Sequence, residues 1–359
     1  MGDNYWQGTA TAVAQITTTK ITNYDASTSY KLTVGGVVVS TVGTGGTVAT
    51  TAAALAAAWN ASTHAYCIGV TATAVASDTI TLTSDTAGIP FVVASSVAGG
   101  SGTIGAATTG TANTGPNDCS TAANWSLGTA PANSENDYLR NNSIPMLWGL
   151  AQSGVTPAKW VQEQSYTGQV GLRYDKFITA VSSTGAITYD STVPEYRPTY
   201  LAIGAAILRI GESDGAGSNS RGAALSKYDL GTTSSAISIY GSGTSADALP
   251  PVRIKDTNAA STLNVYGQAK VGVCYESPAD TGQFVTIQNF GGQLFVGAGV
   301  TLATLDCQAG QTLAKNAPTT VRIEAPAKLT LAGSGTITTL EKRGELNMAS
   351  SYTVTALKG

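Results

Sequence analysis

The chain has 359 residues, of which only 41 are Asp, Glu, Lys or Arg, against one histidine and a formal net charge of −3. Thr alone numbers 52 and Gly 41. So few cations exclude a basic face for gripping nucleic acid. The scarcity of His, Cys and carboxylates argues against enzymes that rely on metal or acid–base chemistry. With 42% hydrophobic residues the chain is not a solvated tail either. A neutral, β-prone structural protein remains.

Taken in chain order, NYWQG places two aromatics, Tyr5 and Trp6, ahead of the first strand. They form either an exposed arm that anchors a partner or a pair tucked into their own domain. The N-terminus lacks the basic start and apolar core of a secretory signal. Trp6 stands where a myristoylation signal needs Ser or Thr. No apolar run reaches the roughly 18 residues of a membrane helix.

Residues 1–112 read as a small β domain with one helix, holding only six charges: Asp3, Lys20, Asp25, Lys31, Asp78 and Asp85. Strands are expected at AVAQITTT, SYKLTVGG and VVVSTVG. VATTAAALAAAWNAS predicts three helical turns, capped by Thr50 or Thr51 and ending at Asn60 or Ser62. Leu55, Ala58 and Trp59 lie near one face of it. Strands resume at AYCIGVTATAV, DTITLTSD and PFVVASS, and residues 96–115 read as a linker of small residues or as a last extended strand.

From 113 to 359 the sequence is a series of short alternations with apolar residues two apart. Leu263/Val265, Val271/Val273, Val285/Ile287, Val321/Ile323, Leu329/Leu331 and Leu346/Met348 are examples. They predict a mainly β chain whose second domain is a β-helix, or solenoid, with residues 116–165 as its opening coil. NAPTT breaks the spacing and reads as an insertion.

Few residues suggest chemistry. His64 and Cys67 are close enough for a Cys–His pair, but nothing around them resembles an oxyanion motif. Glu212 and Asp214, in GESDGAGSNSRG, offer an acidic loop for calcium or a carboxylate pair for glycoside hydrolysis; a solvated turn is the plainer reading. Trp148, Trp160, Tyr166, Tyr174, Phe177, Tyr189, Tyr196 and Tyr200 form an aromatic-rich stretch, either a carbohydrate platform or packing at the start of the solenoid. Cys67, Cys119, Cys274 and Cys307 show no CxxC spacing and read as buried thiols or long-range disulfides. No catalytic residue, cofactor or metal is expected.

NWSLGTAPANSENDYL is similar to the opening coil of bacterial β-helix adhesins and related phage proteins. SIPMLWGLAQSGVTPAKWVQEQSYTGQVGL with PEYRPTYLAI resembles tailed-phage virion proteins with a β-helical body. ITNYDASTSYKLTVGG, ALAAAWNAS and ITLTSDTAGIPF resemble small add-on domains of phage head and tail proteins. The resemblance implies a virion protein made in the host cytoplasm. The expectation is a capsid decoration (cement) protein, a homotrimer binding the major capsid protein, without nucleic-acid or membrane partners. The alternative is a receptor-binding tail fibre or tailspike.

Overall fold

The computed structural model of the chain describes residues 2–74, 78–172, 178–181, 187–189, 198–213, 225–243 and 249–358. The protein is mainly β, with a large curled parallel sheet. It divides into two compact units. One takes Met1–Gly8, Cys119–Leu172 and Thr199–Gly359; the other takes Thr9–Asp118 and Arg173–Pro198.

The first strand, β1 (Asp3–Tyr5), departs from the expected 1–112 domain. It pairs in parallel with Asn136–Leu139, so the N-terminal residues belong to the large unit. The small unit follows with β2 (Ile16–Asn23), β3 (Ser29–Val34), β4 (Val37–Val42), α1 (Val48–Asn60), α2 (Ala65–Ile68), β5 (Val70–Thr73), β6 (Thr79–Ser84), β7 (Ala94–Ala98), β8 (Thr103–Ile104) and β9 (Thr108–Thr111). Its pairings are all antiparallel, β5-β6-β2-β8 with β9 also on β2, and β4-β3-β7.

Helix α1 forms where Ala and Leu dominate. Its cap is Thr47, whose Oγ1 accepts the Thr50 N–H at 3.1 Å, rather than Thr50 or Thr51. Thr51 is instead buried inside the first turn, bonded back to the Thr44 and Thr47 carbonyls. Leu55 and Trp59 enter a core with Ile21, Leu32, Ile80, Leu82 and Phe91, while Ala58 sits at its rim. AYCI, expected as strand, is a single helical turn capped by His64, and extended backbone starts at Val70.

Residues 96–115 are not a linker. β7 pairs with β3, and β8 and β9 with β2. These strands lie at sheet margins with mostly exposed side chains, so Thr, Ser, Ala and Gly suffice. Backbone pairing and hydroxyl bonds such as Thr22–Thr103 (2.6 Å) hold them.

In the large unit, 18 strands among the described residues form one parallel sheet in which most strands also bond to the strand two places on. Two rows result. Lys159–Glu163, Ile207–Glu212, Ala236–Ile239 and Thr262–Val265 build one; Ser226–Asp229, Val252–Lys255 and Lys270–Val273 build the other. The long strands Thr281–Val296 and Gly299–Ala314 contribute to both. Inward positions stack apolar on apolar: Ile237, Leu263, Ile287, Leu305 and Val321 follow one another in register, each 0–1% exposed.

NAPTT is not an insertion. Thr304 pairs with Thr320 and Thr320 with Thr339, and buried Asn316 donates from Nδ2 to the Val300 carbonyl at 3.0 Å. Glycine is required at Gly297, where a Cβ would meet the Cys274 carbonyl of the preceding rung.

Candidate functional site

The expected partner arm is part of the core. Trp6 is 2% exposed and donates from Nε1 to the Ile144 carbonyl at 3.0 Å. It starts an edge-to-face series, Trp6–Trp125 (5.3 Å), Trp125–Trp160 (5.8 Å) and Trp160–Tyr228 (6.4 Å). Tyr5 is half-covered, packed on Tyr138 and under the Arg140 guanidinium at 4.0 Å from the ring centroid. Trp6 is drawn into the core, while Tyr5, at the end of β1, stays half-covered. Trp148, Tyr166 and Tyr200 are likewise buried. Tyr174, Phe177 and Tyr196 lie outside the described residues, as do the surroundings of Tyr189.

Glu212 ends the strand Ile207–Glu212, and its Oε1 accepts from Arg209 at 2.5 Å. Asp214 lies outside the described residues. His64 accepts the Tyr66 N–H at Nδ1 (3.2 Å) as a helix cap. The four cysteines are buried free thiols, and burial pushes Cys274 and Cys307 up to about 12, far from thiolate at neutral pH. Among the described residues no group of three His, Cys, Asp or Glu could hold a metal, and no helix is long and apolar enough to cross a membrane.

Two arrangements do concentrate chemistry. The first is a buried ionic cluster. Parallel register sets Lys227 beside Arg253 and Asp229 beside Lys255. Glu276 sits between the first two cations: Lys227 Nζ lies 2.9–3.0 Å from both its oxygens, and the Arg253 guanidinium bonds Oε1. Tyr200 donates its hydroxyl to Oε2 at 2.6 Å, and its ring lies 4.4 and 4.3 Å from the Lys227 and Lys255 ammonium groups. Lys255 pairs with Asp280 at 2.7 Å. Side-chain exposure of Lys227, Arg253 and Glu276 is 0, 3 and 1%. Burial, which outweighs Glu276, lowers Lys227 to about 8. Sequence reading missed the cluster; its signal was a cation inside two strand patterns, SKYD and VRIK.

The second is a surface groove of about 300 Å³ on the later rungs. Gln293, Gln311, Lys328 and Glu345 form one register line, and Phe295, Leu313, Thr330 and Asn347 the next. Glu345, the one carboxylate in this lining, pairs with Lys328 at 3.0 Å. Nearby, Gln288, Asp306, Arg322, Glu341 and Lys358 stack in register. Contacts link Gln288 to Asp306 (3.0 Å), Arg322 to Glu341 (3.1 Å) and Lys358 to Glu341 (3.6 Å). The chemistry available is cohesion between rungs and an amide-rich, partly aromatic surface. No protein-family model, curated protein or solved structure matches the chain.

Proposed function

We propose that the curled parallel sheet is the wall of a β-helix and that the chain is a non-catalytic structural protein of a tailed-phage virion. Its role is that of a capsid decoration protein, trimeric on the outer shell and bound to the major capsid protein. One observation carries the reading: most ion pairs of the body, among the described residues, join rung to rung. Lys227, Arg253 and Glu276 do so in the interior, and Arg322–Glu341–Lys358 and Lys328–Glu345 outside. Such an arrangement resists separation along the stack. A cement protein opposes internal pressure through this kind of mechanical cohesion. The small unit, nearly without charge, suits contact with a protein shell. Quantitative gels of purified particles test the proposal. On the order of hundreds of copies per particle, as repetition over a symmetric shell requires, is the expected result; a few to tens overturns it.

The groove favours a second reading, a tail fibre or tailspike that binds host polysaccharide. Phe295 offers a ring for stacking, Gln293 and Gln311 offer amides at successive rungs, and Asn347 offers another two rungs on. Under this reading Phe295→Ala with Gln311→Ala abolishes binding to host surface glycan while leaving the fold intact. Equal binding by the variant removes the groove from consideration.

A further inference from the structure

The two sheets of the small unit finish their edges differently. Beside β5, α1 supplies side chains: Trp59 Nε1 donates to the Val70 carbonyl at 2.8 Å, and Asn60 bonds both the N–H and the carbonyl of Ala72 (2.9 and 2.8 Å). At the edge of the other sheet, α1 also packs against β4, but among the described residues no α1 side chain bonds the β4 backbone. A two-residue turn, Gly35-Gly36, both at positive φ (+54° and +81°), joins it to β3. That turn makes Val34/Val37, Leu32/Val39 and Tyr30/Thr41 the bonded pairs. The next pair in the alternation, Thr28/Gly43, is also bonded, at 3.0 Å. Val38, Ser40 and Val42 therefore aim their backbone groups away from β3. The Val42 carbonyl accepts from Thr44 Oγ1 (2.9 Å), and among the described residues the outward backbone groups of Val38 and Ser40 take no bond.

This edge carries none of the usual protection: no charge, no proline, no bulge. Val38 and Val42 are 53 and 57% exposed on the face away from the core. We propose that β4 pairs with β4 of a second copy, antiparallel about a two-fold axis at Ser40, giving a six-stranded sheet β7-β3-β4-β4-β3-β7.

The edge fits itself. In this register Ser40 faces Ser40 of the partner subunit and Val38 faces Val42 of the partner subunit, so β-branched side chains meet on the exposed face. The one charged residue on the three strands is Lys31, which lies level with Ser40 and Ser96. Two-fold symmetry puts the two Lys31 side chains three strand spacings apart, about 14 Å, beyond the roughly 8 Å screening length at physiological salt. A charged strand would not fit so neutral an edge as well as a second copy does. The contact goes beyond the virion role proposed above and does not depend on it. On a shell holding many copies, high local concentration would strengthen a weak edge contact.

The test is sedimentation equilibrium of the full chain over a series extending to millimolar. Ser40→Pro removes an N–H that the fold does not use and places proline where edge strands tolerate it. Val38→Lys charges the edge and is the second variant should circular dichroism show Ser40→Pro unfolded. Ser96→Lys adds a charge to the same sheet face on β7, at the edge opposite β4. The wild type is expected to double the mass of its smallest species reversibly. The two edge variants should weaken that step at least about tenfold, with Ser96→Lys unchanged. Superimposable curves for wild type and edge variants overturn the proposal. So does equal weakening by Ser96→Lys, which would mean that the face or the β7 edge, not the β4 edge, associates.

Discussion

The small unit and the body solve the problem of strand register in opposite ways. The small unit has no charged residue from Leu32 to Ser77 and holds its strands with hydroxyls, as in Thr19 Oγ1 to the Gly105 carbonyl (2.6 Å) and Thr17–Thr109 (3.2 Å). Its hairpin register is set by tight turns such as Gly35-Gly36. The body stacks rungs that resemble one another, and its strands pair in parallel with strands one rung away, so no hairpin turn fixes their register. A slipped stack would still bury valine on leucine. Side chains that must meet a specific partner on the next rung, such as Lys227 and Glu276, break that degeneracy. We take specificity, more than net stabilisation, as the role of the buried ions, because desolvation offsets much of their attraction.

The largest test of this contrast is Glu276→Gln. It leaves Lys227 and Arg253 as adjacent buried cations and should cost the body about 3–5 kcal/mol. In urea unfolding followed by hydrogen exchange, amides of Lys159–Glu163 and Val252–Lys255 should lose protection earlier, while those of β2 and β3 hold. Equal loss in both units would break the contrast.

The pH profile comes next. Burial, with Glu135 adding, raises Asp137 to about 7, and burial raises Asp256 to about 6. The folded body thus holds protons that the unfolded chain releases near pH 4, so its stability falls as pH rises from about 4 to about 7. Asp137→Asn should flatten much of a slope worth on the order of 2–4 kcal/mol. The small unit has the opposite sign. Bonds from the hydroxyls and N–H groups of Ser27 and Ser101 hold Asp25 well below the usual carboxylate range, and Lys20 lowers Asp78. Their contribution should be constant between pH 7 and 4 and be lost below that. A body that weakens on acidification from pH 7 to 5 would contradict the assignment.

How far the sequence revealed this depended on whether the signal was local. Leu263/Val265, Val321/Ile323 and Leu329/Leu331 all point inward as their spacing predicts. Val285 does not, being 38% exposed: in its long strand Phe284 and Ile287 take the inward positions, and the alternation slips between them. Met348 is 41% exposed, and among the described residues Glu345–Met348 pairs on one side, with Lys328–Leu331. The linker reading of 96–115 failed because small residues at a sheet margin look the same as a flexible link; only their long-range partners on β2 and β3 distinguish them. The ionic cluster was hidden for the same reason. Lys227, Arg253 and Glu276 are far apart in sequence and meet only through rung register. Glu212 and Tyr5 suggested sites by residue type, but the partners that occupy them, Arg209 and Arg140, follow from strand geometry.

Two smaller effects sharpen the comparison from each side. Thr47→Ala removes the cap of α1 and should cost about 1 kcal/mol, measured as earlier exchange of α1 amides with the body unmoved. Arg322→Ala removes the middle of the external charge ladder, where side-chain exposure is 48% for Arg322 and 35% for Glu341. Solvent screens such pairs, so the expected loss is only about 0.2–1 kcal/mol, and it should shrink further in high salt. Glu276→Gln should keep its effect in high salt, since its partners are out of reach of solvent. A double-mutant cycle between Arg322→Ala and Glu341→Ala, run at low and high salt, measures the external tie directly. A coupling that salt erases makes the outer ladder a fine adjustment of register and leaves the buried cluster as its main determinant. A coupling as large as that of Lys227 with Glu276, and equally indifferent to salt, would mean that the body's surface and interior fix its rungs alike.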